Sequence, residues 1–251
     1  MLRRVEELKN YVLIAEDGEI GRCKDFLFDD QWTIRYMVAN TGKWLPGRKV
    51  LISPALLGKP KLSDGRFPVK ATKEQIENSP PLRVTEPVTR EYEAQWHDYY
   101  GWPYYWAGPC LLGACPRPAS MYADPGTPRG YYVTTNPKAR NLESASEVSG
   151  FHIQATDGVI GHINDFILDD DDWAIRYIIV DTRNWLPGKE VLLASGWFRD
   201  VRWAAKKVGV EMTRNSVKSS PEYVQENLNR DYEIQLHRHY GFPPYWEGPP
   251  R

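Results

Sequence analysis

Carboxylates, imidazoles and thiols are the reactive groups whose spacing in this sequence could support chemistry. The run Asp169-Asp170-Asp171-Asp172 offers the several oxygens that a hard cation such as calcium requires. It lacks the spaced Asp/Asn/Gly/Glu pattern of a loop site, and its counterpart has only Asp29 and Asp30. A solvated hairpin tip is therefore the expectation. His237-x-His239 places two imidazoles two residues apart, which on a helix puts them on different faces, so joint metal ligation is not expected. Only His237 has a counterpart, His97, and a pair of helix-surface histidines is the reading. Cys110 and Cys115 lie five apart with no second pair, and with Cys23 they are expected to be free thiols. Asp17, Asp157, Asp25 and Asp165 are repeated, but beside Gly turns or on strands, where turn and capping bonds account for them. No Ser/His/Asp or Cys/His constellation recurs. The expectation is that the chain has no catalytic residues, no cofactor site and no metal site, and that it is not an enzyme.

The elements that position these groups come in two copies. Ala15-Glu-Asp-Gly18 through Gly21 recurs as Ala155-Thr-Asp-Gly158 through Gly161, 140 positions on (155 less 15). Asp25-Phe26 recurs as Asp165-Phe166, Ile34-Arg35-Tyr36 as Ile175-Arg176-Tyr177, and Trp44-Leu45-Pro46-Gly47 as Trp185-Leu186-Pro187-Gly188. Arg90-Glu91-Tyr92-Glu93 matches Arg230-Asp231-Tyr232-Glu233, and Tyr105-Trp106 matches Tyr245-Trp246. The expected domains are residues 1–106, a Pro/Gly-rich linker at 107–141, and residues 142–251. Tyr122, Tyr131 and Tyr132 suggest that the linker lies against a folded unit.

Each copy reads as mainly β. Strands are predicted at Tyr11–Ala15, Lys24–Asp29, around Ile34 to Val38, at Val50–Ile52 and at Phe67–Ala71, with equivalents in the second copy. Gly18, Gly21, Gly158 and Gly161 supply structural turns. Thr72-Lys-Glu-Gln75 is a capping box for a short helix, and Thr89 and Asn229 are N-caps for a second one. That helix carries the stripe Tyr92, Trp96, Tyr99/Tyr100 or Tyr232, Leu236, Tyr240. Short strands with Gly/Pro turns suggest a small closed or nearly closed barrel in each copy. The two units are expected to pair about an approximate two-fold axis.

Composition narrows the function classes. Net charge is −1, from 32 basic and 33 acidic residues, which argues against a nucleic-acid-binding surface. No apolar run approaches bilayer length, so no direct membrane insertion is expected. Residues 1–9 carry basic groups with no apolar stretch behind them, so no export signal is expected. Three cysteines, an odd count without metal spacing, point to a reducing cytoplasmic location. Aromatic residues make up 13%, with ten Trp, and much of that sits in the Trp-Leu-Pro-Gly loops and the two tails.

The Asp-Gly-x-x-Gly turn followed by Asp-Phe, the Ile-Arg-Tyr strand, the Trp-Leu-Pro-Gly loop and the Thr…Ser-Pro segment together resemble the PRC-barrel domain. That domain is known from the photosynthetic reaction-centre H subunit and from RimM. The likeness covers roughly residues 5–81 and 145–221, and the whole resembles bacterial tandem PRC-barrel proteins. The resemblance implies a six-stranded barrel that docks onto protein partners, and it carries no catalytic residues.

The function expected is a non-enzymatic protein-binding or assembly module, with a protein partner and possible homo-oligomerisation. Two alternatives are a regulatory subunit at a membrane-bound photosynthetic electron-transfer or stress-response complex, and an aromatic-lined small-ligand binder. Trp44, Leu45 and Pro46, with Trp185, Leu186 and Pro187, are the candidate partner surface. Tyr105-Trp106 and Tyr245-Trp246 either close the barrels, with either Trp buried firmly enough that truncation costs about 3–5 kcal/mol, or add to that surface.

Overall fold

The computed structural model describes residues 1–61, 63–106, 142–182 and 189–247. The Trp185-Leu186-Pro187 loop, the linker with its tyrosines, and Cys110 and Cys115 lie outside the described residues. The chain divides into two compact units, mainly β, with two mixed sheets and a few helices.

Among the described residues, the first unit comprises Met1, the described part of 3–106, 142–146 and 169–174. Its strands are β1 (Leu2–Arg4, shared with the other unit through Leu2), β2 (Val12–Ala15), β3 (Gly18–Phe28), β4 (Ile34–Asn40), β5 (Arg48–Ile52), β6 (Arg66–Pro68), β7 (Leu82–Arg83) and β8 (Glu143–Ser144). Helices α1 (Val5–Leu8), α2 (Lys73–Glu77) and α3 (Arg90–Tyr100) punctuate them. The sheet runs β6-β2-β3-β4-β5-β7, with β8 also on β3. β2 pairs antiparallel with β3 and parallel with β6.

β3 is longer than the segment 24–29 that alternation picks out. It begins at the Asp17-Gly18 turn and is kept in the ladder by bulges, one of them at Cys23/Asp25. A Cβ on Gly21 would overlap the Asn40 carbonyl oxygen across the ladder, and its φ is +134°. Only glycine lets β3 pass that close to the end of β4.

β4 also departs from simple alternation, because Ile34 through Ala39 are all buried. One face looks into the sheet core with Phe26, Phe28 and Phe67. The other is covered by α3, in a cluster of Leu27, Tyr36, Val38, Leu51, Leu82, Val88, Tyr92, Trp96 and Leu142. A strand buried on both faces loses the polar half of its pattern.

The second unit comprises Leu2, 147–168, 175–182 and 189–247. Helix α4 (Ala145–Val148) leads into β9 (His152–Ala155), β10 (Gly158–Asp169), β11 (Ile175–Asp181), β12 (Glu190–Ala194), β13 (Phe198–Arg202) and β14 (Lys207–Val210), then α5 (Arg214–Lys218) and α6 (Arg230–Tyr240). The order is β12-β11-β10-β9-β14-β13, with β9 and β14 parallel and β1 on β10. β14 lies on the fifth strand expected from the sequence at Val208–Met212, whereas its hairpin partner β13 is an addition that the sequence pattern did not reveal. Gly161 repeats the close approach of Gly21, since a Cβ there would overlap the Asp181 carbonyl oxygen.

Among the described residues each sheet is seven-stranded and mixed, where the resemblance implied six strands. Among the described residues, no helix is long and apolar enough to cross a membrane.

Candidate functional site

The polar groups that converge inside this fold come from one helix face, one strand and one tail. Thr89 caps α3 by accepting from the Tyr92 amide at 3.2 Å, and Gly101 ends the helix in the left-handed region at φ 69°. Between those stops, Glu93 and His97 stand one turn apart on the inner face with Trp96. Past Gly101, Pro103 carries the chain out of the helix and turns Tyr105 back over that face.

The result is a buried network. Tyr105 Oη donates to Glu93 Oε1 at 2.5 Å, and Arg90 Nη1 donates to Tyr105 Oη at 2.9 Å while lying 3.0 Å from Glu93 Oε2. His97 Nδ1 lies 2.8 Å from the Pro103 carbonyl, so it must carry the proton, and Nε2 then accepts from Tyr36 Oη at 3.0 Å. Arg35 of β4 stacks over the Tyr105 ring at 4.1 Å and pairs with buried Asp29 at 2.6 Å. Asp29 also accepts the Gln31 and Thr33 amides, which closes its own hairpin tip.

The second unit repeats the set. Tyr177 Oη lies 2.9 Å from Glu233 Oε1 and 3.0 Å from His237 Nε2, and Tyr245 Oη donates to Glu233 at 3.1 Å. Arg176 covers the Tyr245 ring at 4.1 Å, and Arg230 lies 3.2 Å from Glu233 and 3.8 Å from the Trp246 ring centroid. Asn229 caps α6 as Thr89 caps α3, and Gly241 ends it at φ 75°.

Burial sets the electrostatics. It pushes the Glu93 carboxyl up to about 7 against the pull of Arg90, and holds His97 down to about 4. Tyr105 is raised well above its ordinary value, first by burial and then by Glu93. In the second unit burial likewise lowers His237. A carboxyl near 7 beside a neutral imidazole is the composition of an acid–base pair. Here, however, Glu93 and His97 are 0% and 1% exposed, and their bonds go to the strand and the tail. The arrangement clamps each C-terminal tail onto its helix.

The sequence reading missed this constellation, although every member was visible as a repeated residue. A Tyr–His–Glu–Tyr set drawn from strand, helix and tail has neither the spacing of a nucleophile triad nor that of a metal site. The reading of His237 as a surface histidine is corrected: it is buried under the second tail. The solvated reading of Asp169–Asp172 is corrected too, because Asp170 and Asp172 are buried. Asp169, Asp170 and Asp171 surround the Met1 ammonium at 2.9, 2.7 and 2.8 Å, and Lys59 reaches Asp171 at 2.5 Å. Their ligand atoms lie within 4.8 Å of one another, with those cations already among them.

The other candidate residues lie as follows. Trp44 and Leu45 are half-buried and Pro46 is exposed in the loop between β4 and β5, where the Trp44 amide donates to the Thr41 carbonyl at 3.2 Å. Tyr105 is buried, while Trp106, Tyr245 and Trp246 are half-buried. Trp106 stacks on Tyr104 at 4.8 Å, with Arg90 4.3 Å over its ring. Gly18 and Gly158 face the flexible side chains of Lys73 and Arg214, whose amides Asp17 and Asp157 cap. Cys23 is a buried free thiol, pushed up by burial.

No curated protein matches the sequence. Residues 140–220, the strand-rich part of the second copy, match the model of the PRC-barrel domain family; the match supports a mainly β, barrel-like fold there and suggests an interaction or assembly module in general terms.

Proposed function

We propose that this chain is a non-enzymatic assembly protein that uses two PRC-barrel-like units to hold a protein partner, acting in the cytoplasm. The observation that carries the reading is the use made of the acid–base residues. In each unit the Tyr, His, Glu and Arg side chains bond to one another and to the tail, so chemistry-capable groups serve closure. The PRC-barrel match over 140–220 supports the same direction. The first unit's contact surface in this reading is the Trp44-Leu45-Pro46 loop, apolar, outside the sheet core and partly open. The test is affinity capture with the full chain and its Trp44→Ala variant. Loss of a specific, identified partner with an unchanged melting curve supports the reading, and equal capture by both proteins refutes the loop's role.

A further inference from the structure

The hairpin β13–β14 of the second unit carries three cations and three apolar residues at its tip. Arg202, Lys206 and Lys207 flank the short turn Trp203–Ala205, and all of these are exposed except half-buried Trp203. Trp203 leans on Phe151, with ring centroids 6.2 Å apart, which fixes the turn to the sheet. The neighbouring carboxylates are engaged, Asp200 by Arg202 and Glu211 by Arg199, each at 2.7 Å. Arg202, Lys207, His152 and His162 are successive cross-strand partners over β13, β14, β9 and β10, a basic row about 14 Å long. Val208 and Ile153, next along β14 and β9, are 0% exposed, so the row lies on the outer face. Like charges set directly opposite one another destabilise a sheet unless an anion lies against them. Lys206 adds a second cost. It holds φ 51°, in the left-handed region, where the equivalent position of the first copy, 141 back (206 less 65), is Gly65 at φ 61°. The first tip reads Ser63-Asp64-Gly65 where the second reads Ala204-Ala205-Lys206. The second copy thus accepts backbone strain to set a cation beside two exposed alanines.

We propose that the tip of the β13–β14 hairpin rests on an anionic lipid surface, its cations at the phosphates and Trp203, Ala204 and Ala205 at the acyl boundary. A bilayer face presents anionic headgroups in a plane above an apolar layer, so one tip meets both. Free phosphate would engage the cations and leave the apolar turn in water. Tryptophan favours the headgroup level, where an apolar ring and its polar edge are both satisfied. The chain's net charge is −1, so the attraction is local to this hairpin and is screened beyond about 10 Å at 0.1 M salt. The contact lies on the membrane and does not cross it. The tip belongs to the second unit and uses no residue of the Trp44 loop, so its failure leaves the proposed function standing.

The full chain is sedimented with vesicles of phosphatidylcholine alone and of phosphatidylcholine with about one-third phosphatidylserine, at about 0.1 M salt. The expected result is partition onto the anionic vesicles, little onto the neutral ones, and release as salt is raised. Each cation near such a surface is worth roughly five-fold in partition, so Lys206→Gly with Lys207→Gln should lose roughly 25-fold. Lys206→Gly also relieves the backbone strain, so the melting temperature should hold or rise while binding falls. Ala205→Glu, at an exposed position, should weaken binding several-fold with an unchanged melting curve. Equal partition onto both vesicle types, or native binding by the lysine pair variant or by Ala205→Glu, overturns the proposal. Release by inorganic phosphate at matched ionic strength overturns it in favour of a phosphate site. Retention on immobilised poly-glutamate without vesicle binding overturns it in favour of an acidic protein.

Discussion

Tyr105 Oη donates to Glu93 Oε1 at 2.5 Å, joining the end of the first unit's tail to the inner face of α3. Arg90 touches both groups, and Arg35 lies over the ring, so a neutral tyrosine is held between two cations and a buried carboxyl. His97, on the next turn, binds the Pro103 carbonyl and thereby fixes where the tail leaves the helix.

The cluster makes stability respond to pH through two opposing groups. Glu93 is raised from 4.5 to about 7, so its contribution is complete below pH 4.5 and is lost as pH rises through 7. His97 is lowered from 6.5 to about 4, so its contribution is complete above 6.5 and is lost as pH falls through 4. Between 4.5 and 6.5 the two slopes oppose each other. Glu93→Gln removes one of them, and relative to the native chain the variant should gain about 3 kcal/mol from pH 4.5 to pH 7. Urea unfolding of both proteins across that range checks it, and parallel curves would refute it.

Tyr105→Phe keeps the ring under Arg35 and removes the hydroxyl that serves Glu93 and Arg90. Leaving buried polar groups without that partner should cost about 1–3 kcal/mol. Because the Tyr105 hydroxyl donates to Glu93, Tyr105→Phe combined with Glu93→Gln should cost less than the two single losses summed. A double-mutant cycle from thermal unfolding measures the difference.

Trp96 is fully buried and Trp106 only partly, which separates two tryptophans that the sequence places in one aromatic motif region. Trp96→Ala should cost about 3–5 kcal/mol, and Trp106→Ala, which loses stacking on Tyr104 and Arg90, about 1–2. Equal falls in melting temperature would contradict this ordering.

Gly21→Ala places a methyl into the Asn40 carbonyl at a positive φ, whereas Gly42→Ala, also at positive φ, meets no atom within 4 Å. The first should cost at least about 3 kcal/mol from overpacking and backbone strain together, and the second about 1 from backbone strain alone. Chemical denaturation of the two variants reads the gap directly.

Asp29→Ala takes the carboxylate partner from the buried Arg35 guanidinium and the acceptor from the Gln31 and Thr33 amides. Breaking one side of such a pair should cost about 3–5 kcal/mol. Arg35→Met with Asp29→Leu, which removes both charges, should recover much of it.

Local chemistry was legible in the sequence because it acts over a few residues. Thr72 and Gln75 form their capping box, Thr89 and Asn229 cap their helices, and Gly101 and Gly241 end them, each through bonds one turn long. The repeat was legible for a similar reason, since short motifs recur at offsets of 140 (155 less 15) or 141 (175 less 34). What tertiary structure decided were the partners across distance. β4 lost its alternation because α3 covers its outer face, which no window along β4 contains. Tyr36, Glu93, His97 and Tyr105 became one cluster because a strand, a helix and a tail converge, with sequence separations up to 61 residues between bonded atoms. The Asp25 carboxylate found its partners at Ser144 and Ser146, more than a hundred residues away, because a strand edge accepts whichever segment the folded chain brings to it. Backbone pairing and burial are blind to sequence distance, so only the assembled fold could bring Leu142 and β8 to that place.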